Sequence, residues 1–536
     1  MSAAATTGVR AGGARHLAGT GALLRLALRR DRVMLPVWAL VLGTVVTSGA
    51  GSIDALYGTA AERAEVAASM TANGSLRAMY GPVFGDSTGA LVAWRFGVFA
   101  SVLAAVTSLL VVVRHTREEE ETGRQEMLSA AVVGRRAPLT AALLAALAGN
   151  AALALAVTAG LAGRGAGGAL ALGLAVGLTG MVFATTAAIT AQLTESARSA
   201  KGLAVAVLGA AFVLRAAGDA GRADGGSALT WLSPVGWAEN VRAFAGDRWW
   251  VLLLPVAAAL LQGLAAYALA GRRDLGMSFL PARPGPAEGR LASAGALAWR
   301  LQRGSLAGWT AGFLAAGVVF GGMVEGAADL VGENRKAREV FERMGGAQAV
   351  DDAFLAALLG LFGMAASLYA VGAVLRLHGE EVSQRAEPVL AGAVGRLRWA
   401  AGHLAVAFAG SALLLLAAGL GMYLSHGRDP GAVLGAAAVQ LPAVWFLGAL
   451  AVLLYGALPK AAAAAWGAAG LSLVIGWVGP ALDLPQAVLD LSPFGHLPKL
   501  PGADMAWRPV LALSAGAALM VAAGLAGLRR RDLLTG

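Results

Sequence analysis

Two short charged strings are the parts of this chain best equipped for chemistry: EEETGRQEMLSAAVVGR at 119–135 and EEVSQRAEPVLAGAVGR at 380–396. Glu119, Glu120, Glu121 and Glu126 supply carboxylates in the first, and Glu380, Glu381 and Glu387 in the second. Clustered acids of this kind can act in catalysis, or they can steer and hold a basic partner. Duplication at matched positions suits two copies of one partner better than one reaction centre. On a helix, Glu120–Arg124 and Glu381–Arg385 are i,i+4 pairs with the acid first, the favourable order. The competing structural reading is a solvated loop whose charges set topology. Topology needs only basic residues, which leaves the repeated acids unexplained.

The elements around the strings are membrane spans. Of 536 residues, 57% are hydrophobic and 14% charged, against about 25% charged in a soluble protein. The apolar residues fall in continuous blocks of roughly 20, the length a helix needs to cross the hydrocarbon core. Blocks without period-two alternation exclude a barrel. Twelve spans are expected, near 33–52, 92–113, 139–162, 168–193, 200–218, 248–271, 306–326, 353–375, 399–424, 431–456, 461–480 and 507–528. With the N-terminus inside, 27 of the 42 Lys and Arg fall in cytoplasmic segments. That bias puts both termini in the cytoplasm and accounts for the net charge of +10 without nucleic acid. There is no cysteine and no metal-type histidine spacing, so no metal site is expected. Trp231, Trp237, Trp249, Trp250 and Trp507 fall at predicted outer boundaries, as an aromatic belt would.

The strings align without gaps at an offset of 261. Two more pairs keep the order: LSPVGW at 232–237 with LSPFGH at 491–496, and RRDL at 272–275 with RRDL at 530–533. The basic, leucine-bearing stretch before the first span, LLRLALRRDR, has a counterpart in ALAWRLQRGSLAGW before the seventh. Each reads as an amphipathic helix on the inner leaflet, or, for the first, as a basic tail. The expected fold is therefore an all-α polytopic membrane protein made of two parallel six-span repeats. Residues 1–275 form the first half, 276–296 a cytoplasmic linker and 297–536 the second half. Long amphipathic stretches at 53–91 and 327–352 occupy equivalent outer places, where they could cover an exit or cap the bundle.

Glu119, Gly123, Glu126, Leu128 and Arg135 form an E-x-x-x-G-x-x-E-x-L string that closes on a small-residue turn and arginine. Between a second and third span, this resembles the coupling region of type-2 ABC exporter permeases. The fused twelve-span form is similar to actinobacterial polyketide-antibiotic exporter permeases of the tetronasin-resistance type. LRLALRRDRVMLPVW, SPVGWAENVRAFAGDRWW and LAWRLQRGSL carry the same likeness. The second string departs from the pattern, with Gln384 for the glycine and Pro388 expected to break the helix early, so the two sites need not be equal.

The resemblance implies coupling helices that dock into two copies of a separate ATP-hydrolysing subunit, with Glu119, Glu120, Glu121, Gly123, Arg124, Glu126, Glu380, Glu381, Arg385 and Glu387 at the docking surface. It also implies outer half-helices at Ser233, Pro234, Gly236, Ser492, Pro493 and Gly495 that help close the exit. ATP and Mg would belong to the partner; this chain would carry no cofactor. None of its four lysines follows a glycine, so the phosphate-cradling Walker A loop is absent. Export of hydrophobic or amphipathic compounds across a bacterial plasma membrane follows from the resemblance.

Polar residues inside the expected spans are the candidates for the substrate path. They are Asn150, its repeat partner Ser411, Gln192, Gln262 and Gln440. Interhelical hydrogen bonding is the equally available reading. Arg215 is expected to snorkel or to pair with Asp219. Two other functions compete: an ion-coupled secondary transporter of six plus six spans, and a membrane-embedded enzyme. Against the first, no conspicuous acid stands mid-span; against the second, the acids are duplicated.

Overall fold

The structure, a computed structural model, describes residues 16–129, 133–274, 276–280, 291, 293–332, 347–427, 429–478 and 485–532. Among these residues the chain is all-α, apart from one isolated bridge between Thr194 and Leu280. It divides into two compact units, Met1–Pro284 and Gly285–Gly536.

In the first unit α1 (Thr20–Arg30) precedes the first span, α2 (Met34–Leu56). Helices α3 (Ala60–Ala72) and α4 (Gly74–Tyr80) fill the expected long outer stretch. A capping box starts α3: Thr59 accepts from the Glu62 amide while Glu62 accepts from the Thr59 amide, satisfying two otherwise orphaned donors. The second span, α5 (Thr88–Arg114), is capped by Ser87 and runs into the charged string as α6 (Arg117–Glu121) and α7 (Arg124–Ser129). Next come α8 (Ala137–Leu161), α9 (Ala166–Leu193), α10 (Ala197–Gly221), the short α11 (Ala228–Trp231) and α12 (Pro234–Asn240), and α13 (Leu253–Arg272). Helix α9 is the central one, packed on α5, α8 and α13, with most of its residues buried. Helix α13 presents Leu260, Leu261 and Leu264 outward, as a lipid-facing helix does.

The second unit repeats the plan. Helix α14 (Ala294–Gly332) leads to α15 (Ala347–Val382), the short α16 (Ala386–Leu390) and α17 (Arg396–His426). Then follow α18 (Pro430–Ala438), α19 (Leu441–Ala457), α20 (Ala464–Val478), α21 (Gln486–Leu489) and α22 (Trp507–Arg530).

Among the described residues, eleven helices are long and apolar enough to cross a membrane, which establishes a multi-pass membrane protein. The expected eleventh span, 461–480, corresponds to α20, which has 15 residues; residues 479–484 lie outside the described residues. So do 130–132 of the first turn, most of the linker (281–290 and 292), and 333–346 of the second outer stretch.

Two expectations change in detail. The basic stretch before the seventh span is no separate helix; it is the start of α14, a single helix of 39 residues. In the first unit the chain turns between α1 and α2 because Asp31 is buried and tied to the end of α5, accepting from Arg114 and His115 at 2.6 Å each. Aligning Trp38 with Trp309 puts Gln302 opposite Asp31, and with no acid there the helix continues. The tenth span is also divided, α18 and α19 being separated at Val439–Gln440. Pro442 explains the break: it cannot donate to the carbonyl of Ala438, and its ring clashes with it.

Small residues set how close the helices approach. A Cβ on Gly421 of α17 would lie 2.4 Å from the Leu314 carbonyl oxygen of α14, and one on Gly317 would lie 2.3 Å from that of Ala418. Backbone thus meets backbone, the contact that small residues permit in lipid. Gly421→Val is expected to cost about 1–3 kcal/mol, read as a lower melting temperature in detergent. Gly312→Ala, with open space at the Cβ position on the same α14, should leave it unchanged or raise it. Equal melting of both variants would contradict the crossing.

Candidate functional site

The charged strings form elbows at the end of the second span of each unit. In the first, α6 continues the span for five residues, and Gly123 then takes a left-handed conformation (φ +71) that redirects the chain into α7. In the second, Gln384 takes the same conformation (φ +58). The turn is therefore kept where glycine is lost, at roughly 1–2 kcal/mol of backbone strain. Pro388 does not break the second elbow either. It lies in the first turn of α16, where a proline is tolerated because no amide is needed.

The expected Glu120–Arg124 pair does not form, because the left-handed residue stands between the two. The Glu120 side chain is instead largely buried and gripped by two arginines. The Arg273 guanidinium donates to both of its oxygens, at 2.8 and 2.6 Å. Arg117, itself buried, donates to it from one turn earlier and also to the Met277 carbonyl at 3.0 Å. Arg124 lies 3.5 Å from Glu119, which also pairs with Arg30 of α1. Glu118 accepts from Lys201 at 3.0 Å, and Glu121 from the Ala197 amide at 3.1 Å, an acid at the N-terminus of α10. Glu126 is exposed.

In the second elbow the expected Glu381–Arg385 pair is likewise replaced. Arg531 donates to both Glu381 oxygens at 2.7 Å, and the Tyr455 hydroxyl adds a third bond at 2.6 Å. Glu380 pairs with Arg376 at 2.7 Å, while Arg385 and Glu387 are exposed.

Glu120 and Glu381 are equivalent in the repeat, and so are Arg273 and Arg531 of the two RRDL segments. A third equivalent pair completes the arrangement. Arg135 donates to the Arg273 carbonyl and Arg396 to the Arg531 carbonyl, at 2.6 Å in both units. Each unit thus has a clasp joining the elbow, the start of the third span and the end of the last. Beside the first clasp is a cavity of about 320 Å³ lined by Thr116, Glu120, Gln125, Arg135, Gln192 and Arg273, among others.

The SP-x-G segments also repeat a contact. Ser233 donates to the Ala211 carbonyl at 2.7 Å and accepts from the Val235 and Gly236 amides, capping α12 with Pro234 in its first turn. Ser492 donates to the Ser472 carbonyl at 3.2 Å, ahead of a short 3-10 turn from Pro493 through Gly495 to His496. Ala211 precedes its serine by 22 residues and Ser472 by 20, so in each unit the serine pins its segment to the preceding α10 or α20. A Cβ on Gly236 would sit 2.1 Å from the Thr230 carbonyl oxygen, so only glycine fits there.

The polar residues inside the spans make contacts between and within helices. Asn150 donates to Ser108 at 2.8 Å and packs against Gly180. Ser411 accepts from Trp445 at 3.2 Å. Gln262 accepts from Thr185 at 2.7 Å and Thr186 at 3.1 Å. Gln192 reaches the Ala188 carbonyl of its own helix at 3.4 Å. Gln440 is buried at the break between α18 and α19.

Arg215 pairs with Asp219 at 3.2 Å, as its spacing suggests, but it does not snorkel. Both side chains are fully buried, and Arg215 also reaches Glu239 of α12 at 3.4 Å and the carbonyls of Ala78 and Met79. It holds α4, α10 and α12 together. Burial pushes the Glu239 carboxyl well above the usual carboxylate range, and Asp219 adds to this while Arg215 opposes it.

Residues 291–529 match the family described as the C-terminal domain of the multidrug efflux system permease Rv1217c. The chain is also similar to the multidrug efflux system permease protein Rv1217c of Mycobacterium tuberculosis (strain ATCC 25618 / H37Rv). The two are 44% identical over 527 residues, which cover 96% of this chain and 95% of the relative.

Proposed function

The chain belongs to the family of multidrug efflux system permeases, and from that premise we propose that it is the membrane subunit of an ATP-driven exporter. Two copies of a separate ATPase subunit dock on its elbows and carry ATP and Mg. Its cargo is hydrophobic or amphipathic compounds, and the resemblance to polyketide-antibiotic exporters adds antibiotics to that class. Both termini face the cytoplasm of the bacterial cell.

The observation that carries this reading is the pair of elbows, equivalent in the repeat and built from the same turn and the same clasp. The chain has no phosphate-cradling loop of its own, and two matched, braced elbows suit docking of two matched subunits that hydrolyse ATP. Transport in proteoliposomes tests it. With the partner ATPase present, a lipophilic dye should move only when ATP is supplied. Movement driven by a proton or sodium gradient without ATP would favour the ion-coupled transporter instead.

A further inference from the structure

We infer that Glu120–Arg273 and Glu381–Arg531 are the positioning pairs that transmit movement of each elbow to the last span of its unit, an inference that rests on the ATP-driven reading above.

The reasoning starts from what the two elbows share. Nearly every other contact of the strings differs between the units. Glu119 pairs with Arg30 of α1, whereas its equivalent Glu380 pairs with Arg376 one turn before it. Glu118 and Glu121 bind Lys201 and the start of α10, but Gly379 and Val382 stand at their places in the second string. Arg117 grips Glu120 on one side, and Tyr455 grips Glu381 on the other. The two-pronged Arg–Glu bond survives this divergence, together with the Arg135 and Arg396 bonds to the clasp arginine's carbonyl.

A contact needed only for stability has no reason to stay ionic. Removing two charges from water is costly, and well-packed apolar residues often serve as well or better. What an apolar contact does not supply is direction. Two parallel N–H···O bonds between planar groups fix both distance and angle. In each unit that bond joins residues 150 or more positions apart, at the elbow and just past the last span. The left-handed turn at Gly123 or Gln384 follows the acid by three residues. Without the clasp, a push on the short helix beyond the turn would be taken up by bending there. With it, the push reaches α13 or α22, and through Arg135 or Arg396 the start of the third span.

The second unit is the better place for the test, because Arg117 would crowd an arginine at position 120. Parent, Glu381→Arg, Arg531→Glu and the swapped double variant are co-purified with the ATPase subunit and reconstituted. Bound partner, ATP hydrolysis and ATP-driven dye transport are measured together. Each single variant should lose about tenfold in transport, the scale of a 1.4 kcal/mol coupling. Arg531→Glu, which lies outside the elbow, should keep bound partner and basal hydrolysis within about twofold. The swap should restore most of that transport. Arg531→Lys keeps the charge with one prong in place of two and guards against misfolding of the reversals; it should lose several-fold in transport with the complex intact. Single variants that transport like the parent, a swap that folds without recovery, or an Arg531→Lys protein at parent level would each overturn the inference. The parent is read first. If it shows no ATP-driven transport, the exporter reading falls and the clasp's role with it; if it does, the variants judge the clasp alone.

Discussion

Arg215→Leu is expected to remove about 3–5 kcal/mol of stability from the first unit, the cost of leaving a buried charge without its partner. Asp219 is fully buried and Glu239 nearly so, and Arg215 is the cation both of them meet. Its loss also frees the carbonyls of Ala78 and Met79 and detaches α4 from α10 and α12. The measurement is the yield and melting temperature of detergent-purified protein. Asp219→Asn in the Arg215→Leu background removes the stranded charge and should recover part of the loss. Glu239→Gln alone should be nearly silent, because burial already favours the protonated acid. Parent-like melting of Arg215→Leu would show that the cluster does not hold these helices.

The second large effect concerns docking. Glu126 and Glu387 are exposed, equivalent in the repeat and outside both clasps. Glu126→Arg with Glu387→Arg should weaken binding of the ATPase subunit about tenfold or more and flatten its dependence on salt, since exposed charges at an interface act through steering. Titration of the purified partner at two ionic strengths measures this. An unchanged affinity would remove these acids from the docking surface. Reversing Glu120 or Glu381 would not answer the same question, because both are buried in the clasps.

The spans were legible because a helix in lipid must be apolar for about 20 residues, and such blocks can be read from composition alone. The duplication was legible too, since the charged strings, the SP-x-G segments and RRDL recur in order. How these pieces meet was not. A spacing rule drew Glu120 to Arg124, but it assumes an unbroken helix, and Gly123 turns left-handed between them. Arg273 was visible only as a marker of the repeat. That it closes on Glu120 depends on α5 and α13 ending at the same level of the bundle, which no local pattern encodes. Gln384 shows the limit from the other side: residue type argued against a turn that tertiary contacts impose. The break at Val439 was within reach, because Pro442 announces it.

The central claim is that this chain works with two copies of a separate ATPase. Its most direct test is the mass of the complex purified through a tag on this chain after co-expression with the ATPase. The account predicts one copy of this chain with two of the partner, and ATP hydrolysis that rises when a transported compound is added. A chain that purifies alone, and moves the same compound without ATP, would contradict it.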